Sequence, residues 1–117
     1  MPSDLNLFAI AGAKARHAVL RQARIAENIA NADTPGYRAR DIEPFAKSIA
    51  RLGARGAAAS PREISVSGLG IAAPDGNTVS VEDQMMRSGQ AARDHEIATT
   101  LYAKSLAMLR AALGGRR

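Results

Sequence analysis

The stretch 28-NIANADTPGYRARDI-42 decides how this chain folds, because it writes the end of one long helix and the start of something extended. Asn28-Ile29-Ala30-Asn31 closes an alanine-rich helical run. Pro35 has no amide hydrogen and pushes Thr34 out of the helical region, so the helix must end just before it. Pro35-Gly36 suits the two central positions of a type II turn, where glycine supplies the positive φ. Asn28 and Asn31 share one helical face near the free carbonyl end. Their amides both donate and accept, so they are expected to tie the turn to the helix. Tyr37 is expected to fold back on this corner, its ring anchored and its hydroxyl free for a partner. Arg38, Arg40 and Asp41 follow as a charged run. The plain alternative is a well-specified helix–turn junction and nothing more.

Upstream of the turn, a helix is expected from an N-cap at Asp4 to about Ala32. Phe8, Ala11, Ala15, Ala18, Gln22, Ile25, Ile29 and Ala32 recur by threes and fours as a heptad seam, flanked by a second stripe of Leu5, Val19, Ala26 and Ala30. Downstream, Ser80 to Asp83 reads as a capping box with acids in the positive first turn. From there Val81, Met85, Ser88, Ala92, His95, Thr99, Tyr102, Leu106, Leu109 and Leu113 keep a four-three spacing. Ile97, Leu101 and Met108 add a second face. Gly114-Gly115 is expected to stop this helix, with Arg110 suiting its negative end. At about 1.5 Å per residue it makes a rod roughly 50 Å long.

The middle differs. "LGARGAAAS" (52–60) reads as loop, "EISVSG" (63–68) as a short strand, and "APDGNTV" (73–79) as a Pro-Asp-Gly turn before Val79 and Val81, so that a small β-hairpin is expected here. The fold class is therefore mainly α: long terminal helices pairing as a coiled-coil-like rod domain, with a short central loop/β-hairpin region. The expected divisions of this single domain are 1–42, 43–79 and 80–117.

The chain has 117 residues, is 46% hydrophobic, and lacks tryptophan, so a small core is all it can close. Much of that apolar fraction is alanine, which buries little area, so the terminal helices are expected to lean on neighbours. The net charge of +5 is diffuse: residues 80–113 hold four basic and four acidic residues, and the excess lies at Lys14, Arg16, Arg21, Arg24 and Arg116-Arg117. The absence of cysteine excludes disulfides and thiolate metal sites. No run reaches the roughly 20 apolar residues of a membrane span, and the N-terminus lacks the basic region and cleavage site of a signal peptide.

Chemistry is not expected. His17 and His95 sit on different helices without ligand-spaced acids, and His95 reads as a packed polar residue of the seam. No serine lies on a nucleophile elbow, neither a dinucleotide fingerprint nor a P-loop occurs, and capping explains Glu82 and Asp83. No catalytic, cofactor-binding or metal-binding residue is assigned, and no cofactor or small-molecule substrate is expected. Two heptad helices can form an intramolecular hairpin or an assembly surface; their small seam residues and second stripes favour assembly. The alternative is a basic amphipathic module for a membrane surface or nucleic acid, but the base-stacking aromatics of nucleic-acid readers are missing.

The Ala-Asp-Thr-Pro-Gly-Tyr core with its Asn-Ile-Ala-Asn lead resembles the N-terminal signature of the flagellar rod, hook and hook-associated proteins. The Arg38-Ala39-Arg40-Asp41 extension resembles the rod members, as does 75-DGNTVSVEDQM-85 at the entry to the last helix. The resemblance implies a structural subunit of the proximal rod of the bacterial flagellar basal body, stacked helically with other rod proteins and with itself. It implies as neighbours the rod–ring adaptor and the membrane-embedded ring, and export by the flagellar type III apparatus without a cleaved signal. Asn28, Ile29, Asn31, Thr34, Pro35, Gly36, Tyr37, Arg38, Arg40 and Asp41 are then the turn and assembly motif, and Phe8, Ile25, Ile29, Val81, Met85, Tyr102, Leu106, Leu109 and Leu113 the packing seam.

Overall fold

The computed structural model describes residues 2–52, 61–66 and 73–114, with side chains for 6–51, 61–66 and 73–114. In chain order it contains α1 (Pro2–Ala30), β1 (Arg40–Ile42), α2 (Phe45–Leu52), β2 (Glu63–Ser65) and α3 (Val81–Gly114). The expected mainly α fold with long terminal helices is what forms. Its extents are 66 × 24 × 17 Å, and its radius of gyration is 17.7 Å, against about 13 Å for a compact chain of this length. The molecule is a short rod.

Both helix starts follow from local chemistry. At α3 the Asp83 amide donates to Ser80 Oγ at 3.2 Å, and the Gln84 amide donates to the Ser80 carbonyl at 2.9 Å, so the capping position is as expected. At α1 the helix begins at Pro2, ahead of the cap expected at Asp4; proline suits a first helical turn, where its missing amide hydrogen costs nothing. The expected stop at Gly115, the loop residues 53–60 and the end of "EISVSG" lie outside the described residues.

α1 and α3 run antiparallel, since Phe8 meets Tyr102 while Gln22 meets Ser88 and Asn28 meets Gln84. The buried contact is built from small side chains. Ala11, Ala18 and Ile25 come from α1, and Ala91 and Ala98 from α3, where Gln84 and Ser105 continue the same seven-residue column. On α3 this column lies one position before the expected seam. Val81 (41% exposed), Met85 (65%), Tyr102 (44%) and Leu113 (84%) stand largely in solvent, as do Val19 (56%) and Ile29 (41%) on α1. His95 is likewise exposed, not packed. The reason is steric: the smallest column lets the two backbones approach most closely, and bulk is displaced to the flank.

β1 and α2 cover one side of this pair. His17, buried on α1, places Nε2 2.7 Å from the Glu43 carbonyl oxygen, and its ring meets Phe45 edge-on at 5.4 Å. Lys14 lies 5.0 Å over the same Phe45 ring. α2 falls within the stretch expected to be loop and strand. Its first turn is organised by Pro44, whose carbonyl accepts from the amides of Lys47 and Ser48. β2 occupies its expected place, but its partner differs. It pairs antiparallel with β1, Arg40 opposite Ser65 and Ile42 opposite Glu63, and not with the segment before Val81. The expected turn at 73–76 does close, the Gly76 amide donating to the Ala73 carbonyl at 2.8 Å.

Overpacking the close contact should therefore be costly and trimming the flank cheap. Ala91→Leu is expected to lower the unfolding free energy by about 1–3 kcal/mol, and Met85→Ala to leave it within about 0.5 kcal/mol. Urea denaturation of the two variants checks both.

Candidate functional site

The site is a polar lock that joins the turn after α1 to the segment leading into α3. Thr34 and Tyr37 close the turn, the Tyr37 amide donating to the Thr34 carbonyl at 3.2 Å, and Gly36 sits at φ 73° as expected. Nothing lies within 4 Å of where a Cβ would stand on Gly36, so glycine is required there by backbone conformation and not by crowding. Asn31 ties the helix end down. Its Nδ2 donates to the Glu27 carbonyl at 2.9 Å, and its Oδ1 accepts from the Thr34 hydroxyl at 3.0 Å.

Asn28 does more than cap. It is 1% exposed, and its amide spans two elements. Nδ2 donates to the Arg40 carbonyl at 2.7 Å and to Gln84 Oε1 at 2.9 Å, while Oδ1 accepts from the Arg40 amide at 3.1 Å. One side chain therefore pairs with β1 as a strand residue would and holds α3 as well. The Tyr37 hydroxyl points at the same Oδ1 from 3.4 Å. It is thus turned inward, not left free for a partner as expected.

Asn77 and Thr78 fill the other half. Asn77 Nδ2 donates to the carbonyls of Asn31 (3.0 Å) and Thr34 (2.6 Å), and its Oδ1 accepts from the Val79 amide at 2.8 Å. The Asp75 carboxylate receives the Asn77 amide at 3.0 Å. Gly76, at φ 86°, would place a Cβ 3.6 Å from Gly36 Cα, so the two glycines face each other across the lock. The Thr78 hydroxyl accepts from the Ala39 amide at 2.8 Å, and the Thr78 amide donates to the Tyr37 carbonyl at 3.0 Å. The lock leaves few backbone groups without partners where two loops cross.

Beneath the lock lies Asp41. Its side chain is 3% exposed and is held by Arg21 of α1, with Nε 3.0 Å from Oδ1, and by Arg87 of α3. Arg21 also donates to Gln90 Oε1 at 3.0 Å, and Arg87 reaches Asp83 at 2.6 Å. Burial raises the Asp41 pKa, but the Arg21 hydrogen bond, the Ile42 amide and Arg87 outweigh it, so the carboxyl titrates below its ordinary 3.8. Glu43 is held down by the Arg62 amide, against burial, and by Arg51. Glu63 bridges Arg24 and Arg40 at the surface and is lowered first by Arg24. Arg38 is exposed beside them in a shallow groove with Gly36, Tyr37 and Glu27.

Of the turn residues singled out from the sequence, Asn28, Asn31, Thr34, Gly36, Tyr37, Arg40 and Asp41 meet here, whereas Ile29, Pro35 and Arg38 face solvent. Of the seam residues, Ile25 is buried and Phe8 stacks on Tyr102 with ring centres 4.4 Å apart. Leu106 and Leu109 are half-buried. Asn77, Thr78, Gln84, Arg21 and Arg87 were not singled out, although the Asn-Thr pair after Asp75-Gly76 carried a turn signal. Among the described residues, no group of three or more His, Asp or Glu side chains can hold a metal, and no helix is long and apolar enough to cross a membrane.

Among the described residues, nothing packs on the side of the helix pair away from β1 and α2. Phe8 and Gln22 meet Tyr102 and Ser88 there, Gln22 Nε2 donating to the Ser88 carbonyl at 3.1 Å. A shallow groove beside them is lined by Ala18, Val19, Gln22, Ala92 and His95.

Removing the Asp41 carboxylate leaves two guanidinium groups facing each other in a poorly hydrated site. Asp41→Ala is expected to cost about 3 kcal/mol of unfolding free energy at neutral pH. Because the folded pKa is depressed, this contribution is present above pH 3.8 and fades as pH falls through the folded value. The gap between natural chain and Asp41→Ala should therefore narrow as the pH falls below 3.8, as read by urea midpoints across an acid series.

Residues 17–38, covering the end of α1 and the turn, match the family described as "Flagella basal body rod protein". The chain is similar to the flagellar basal body rod protein FlgB of Agrobacterium fabrum, 28% identical over 113 residues, covering 83% of this chain and 84% of that protein. It is also similar to the FlgB of Salmonella typhimurium, 58% identical over 36 residues, covering 31% of this chain and 25% of that one.

Proposed function

From the premise that this chain belongs to the flagellar basal body rod proteins and is a structural subunit of that rod, we propose that it builds the proximal section. There it stacks helically with itself and with other rod proteins. The observation that carries this reading is the open side of the α1–α3 pair, where Val19, Ile29, Val81, Met85 and Tyr102 present apolar surface to solvent. A monomer gains nothing from that exposure, whereas a tube in which each helix pair has several neighbours buries it. The contacts are head-to-tail, so they propagate an axis instead of closing on themselves. Torque then passes through the subunit along its 66 Å length.

The lock has a geometric role in this reading. It fixes the angle between the helix pair and everything that follows residue 36, so β1 and α2 stand on one side and leave the other for neighbours. Asn28, Asn31, Thr34, Gly36, Tyr37, Arg40 and Asp41 serve that purpose, with the rod–ring adaptor and the membrane-embedded ring as further neighbours. Delivery is by the flagellar type III apparatus to the periplasmic basal body. The subunit works as scaffold, not as enzyme. A membrane or nucleic-acid role gains no support from the fold: Arg21, Arg24, Arg40, Arg51 and Arg87 are occupied by carboxylates.

Gly36→Val places a β-branched residue at φ 73°, a conformation that costs an L-residue about 1–2 kcal/mol and a β-branched one more. In cells lacking the natural chain, this variant is expected to be exported at the normal level but to leave rods unbuilt and cells non-motile. Export assays and electron microscopy of basal bodies read the two parts, and rods of normal length would remove the turn from assembly.

A further inference from the structure

Resting on the rod reading above, we propose that the open groove between α1 and α3 receives the leucine-rich end of α3 from a second copy of this chain.

The groove has the geometry of a third-helix site. On α3 the buried column is Gln84, Ala91, Ala98 and Ser105, and the column beside it holds exposed Met85, Ala92 and Thr99 and half-buried Leu106; both share Ser88, His95 and Tyr102 as their neighbour. Two heptad seams that share one column point about 50° apart, so a helix laid on the second seam lies beside the helix on the first. α1 does the same on its side, with Ala11, Ala18 and Ile25 buried and Val19 and Gln22 bordering the groove. Both helices thus turn a second seam toward one empty position. At the Phe8–Tyr102 end the stacked rings fill it; toward Val81 it is open.

The same chain supplies a matching helix. With Phe8 opposite Tyr102 in an antiparallel pair, Pro2 lies level with about Met108 at the common rise of ~1.5 Å per residue. The last turns of α3 therefore extend past α1, and Leu113 is 84% exposed. The columns that line the groove run through Leu106 and continue into this overhang through Leu109 and Leu113. Charge favours the fit as well. After Glu96 the sequence has no acid, while Lys104, Arg110, Arg116 and Arg117 follow. At the end of the helix pair where the groove opens, Asp33, Asp75 and Glu82 are exposed, while Glu27 pairs with Arg24, and Arg24 and Arg40 pair with Glu63, leaving Arg38. A basic, leucine-bearing tip meets an apolar slot with an acidic rim. Two turns of helix bury less than the ~1,000 Å² of a stable free dimer, so the contact forms where copies are already aligned.

The absence of cysteine makes the test clean. Leu113→Cys and Met85→Cys are made in separate copies and co-expressed in a flagellated cell without the natural chain; its basal bodies are isolated and oxidised. A mixed disulfide dimer is expected at least ten-fold above that formed when Leu113→Cys is paired with Lys47→Cys, which lies on the covered side. Both positions are exposed, so neither replacement disturbs the fold. Equal yields from the two pairings, or no mixed dimer when both chains are present in the basal bodies, would overturn the proposal and leave the rod reading standing. A photoreactive residue at 113 supplies a second readout: capture of a different rod or ring protein in place of a copy overturns it too. Absence of the natural chain itself from basal bodies would instead remove the rod reading on which the proposal rests.

Discussion

A carboxylate shared between two guanidinium groups is what the fold turns on. Asp41 sits on β1, between Arg21 of α1 and Arg87 of α3, so one side chain connects the three elements that define the molecule. The hydrophobic contact between the helices cannot do this alone. Alanine on alanine sets a distance but resists rotation and sliding only weakly, because its small surfaces interlock little. Directional, charge-assisted bonds supply what apolar contact lacks. Asn28 and Gln84 repeat the device further along the pair, with neutral groups. Register in this rod is thus set by polar chemistry along one edge of an apolar seam.

That division explains which features were legible beforehand. Pro35 and Gly36 act on their own backbone, so a turn with positive φ at Gly36 could be read from two letters. The capping role of Ser80 is local in the same way. The asparagine amides were visibly able to bind, but their targets lie far off in the chain: Asn28 reaches residue 84, and Asn77 reaches residues 31 and 34. No periodicity reports such pairings. The partner of β2 was misplaced for the same reason, since β1 is separated from it by all of α2. The helix α2 was missed because eight residues carry little pattern and their anchor is the distant His17 on α1.

The seam on α3 shows a different limit. Ranking positions by apolarity selected Met85, Tyr102 and Leu113, whereas the fold selected Ala91, Ala98 and Ser105 by size and Gln84 by its bond to Asn28. Both columns are real features of the helix. One holds the chain to itself, and the other is left for contacts beyond it. A reading that ranks the faces of a helix by apolarity chooses the larger residues and is one position out. His95 is placed in the seam by that ranking and is exposed instead, whereas Tyr37, placed on the corner by its turn, directs its hydroxyl inward to Asn28.

The alanine contact has a thermal consequence. Unfolding heat capacity grows with the apolar area that becomes hydrated, and a seam of methyl groups uncovers little of it per turn. The free energy of this chain should accordingly bend gently with temperature, trading a high summit for a broad plateau. Its subunits would then hold nearly the same fit to one another in cold water as in warm.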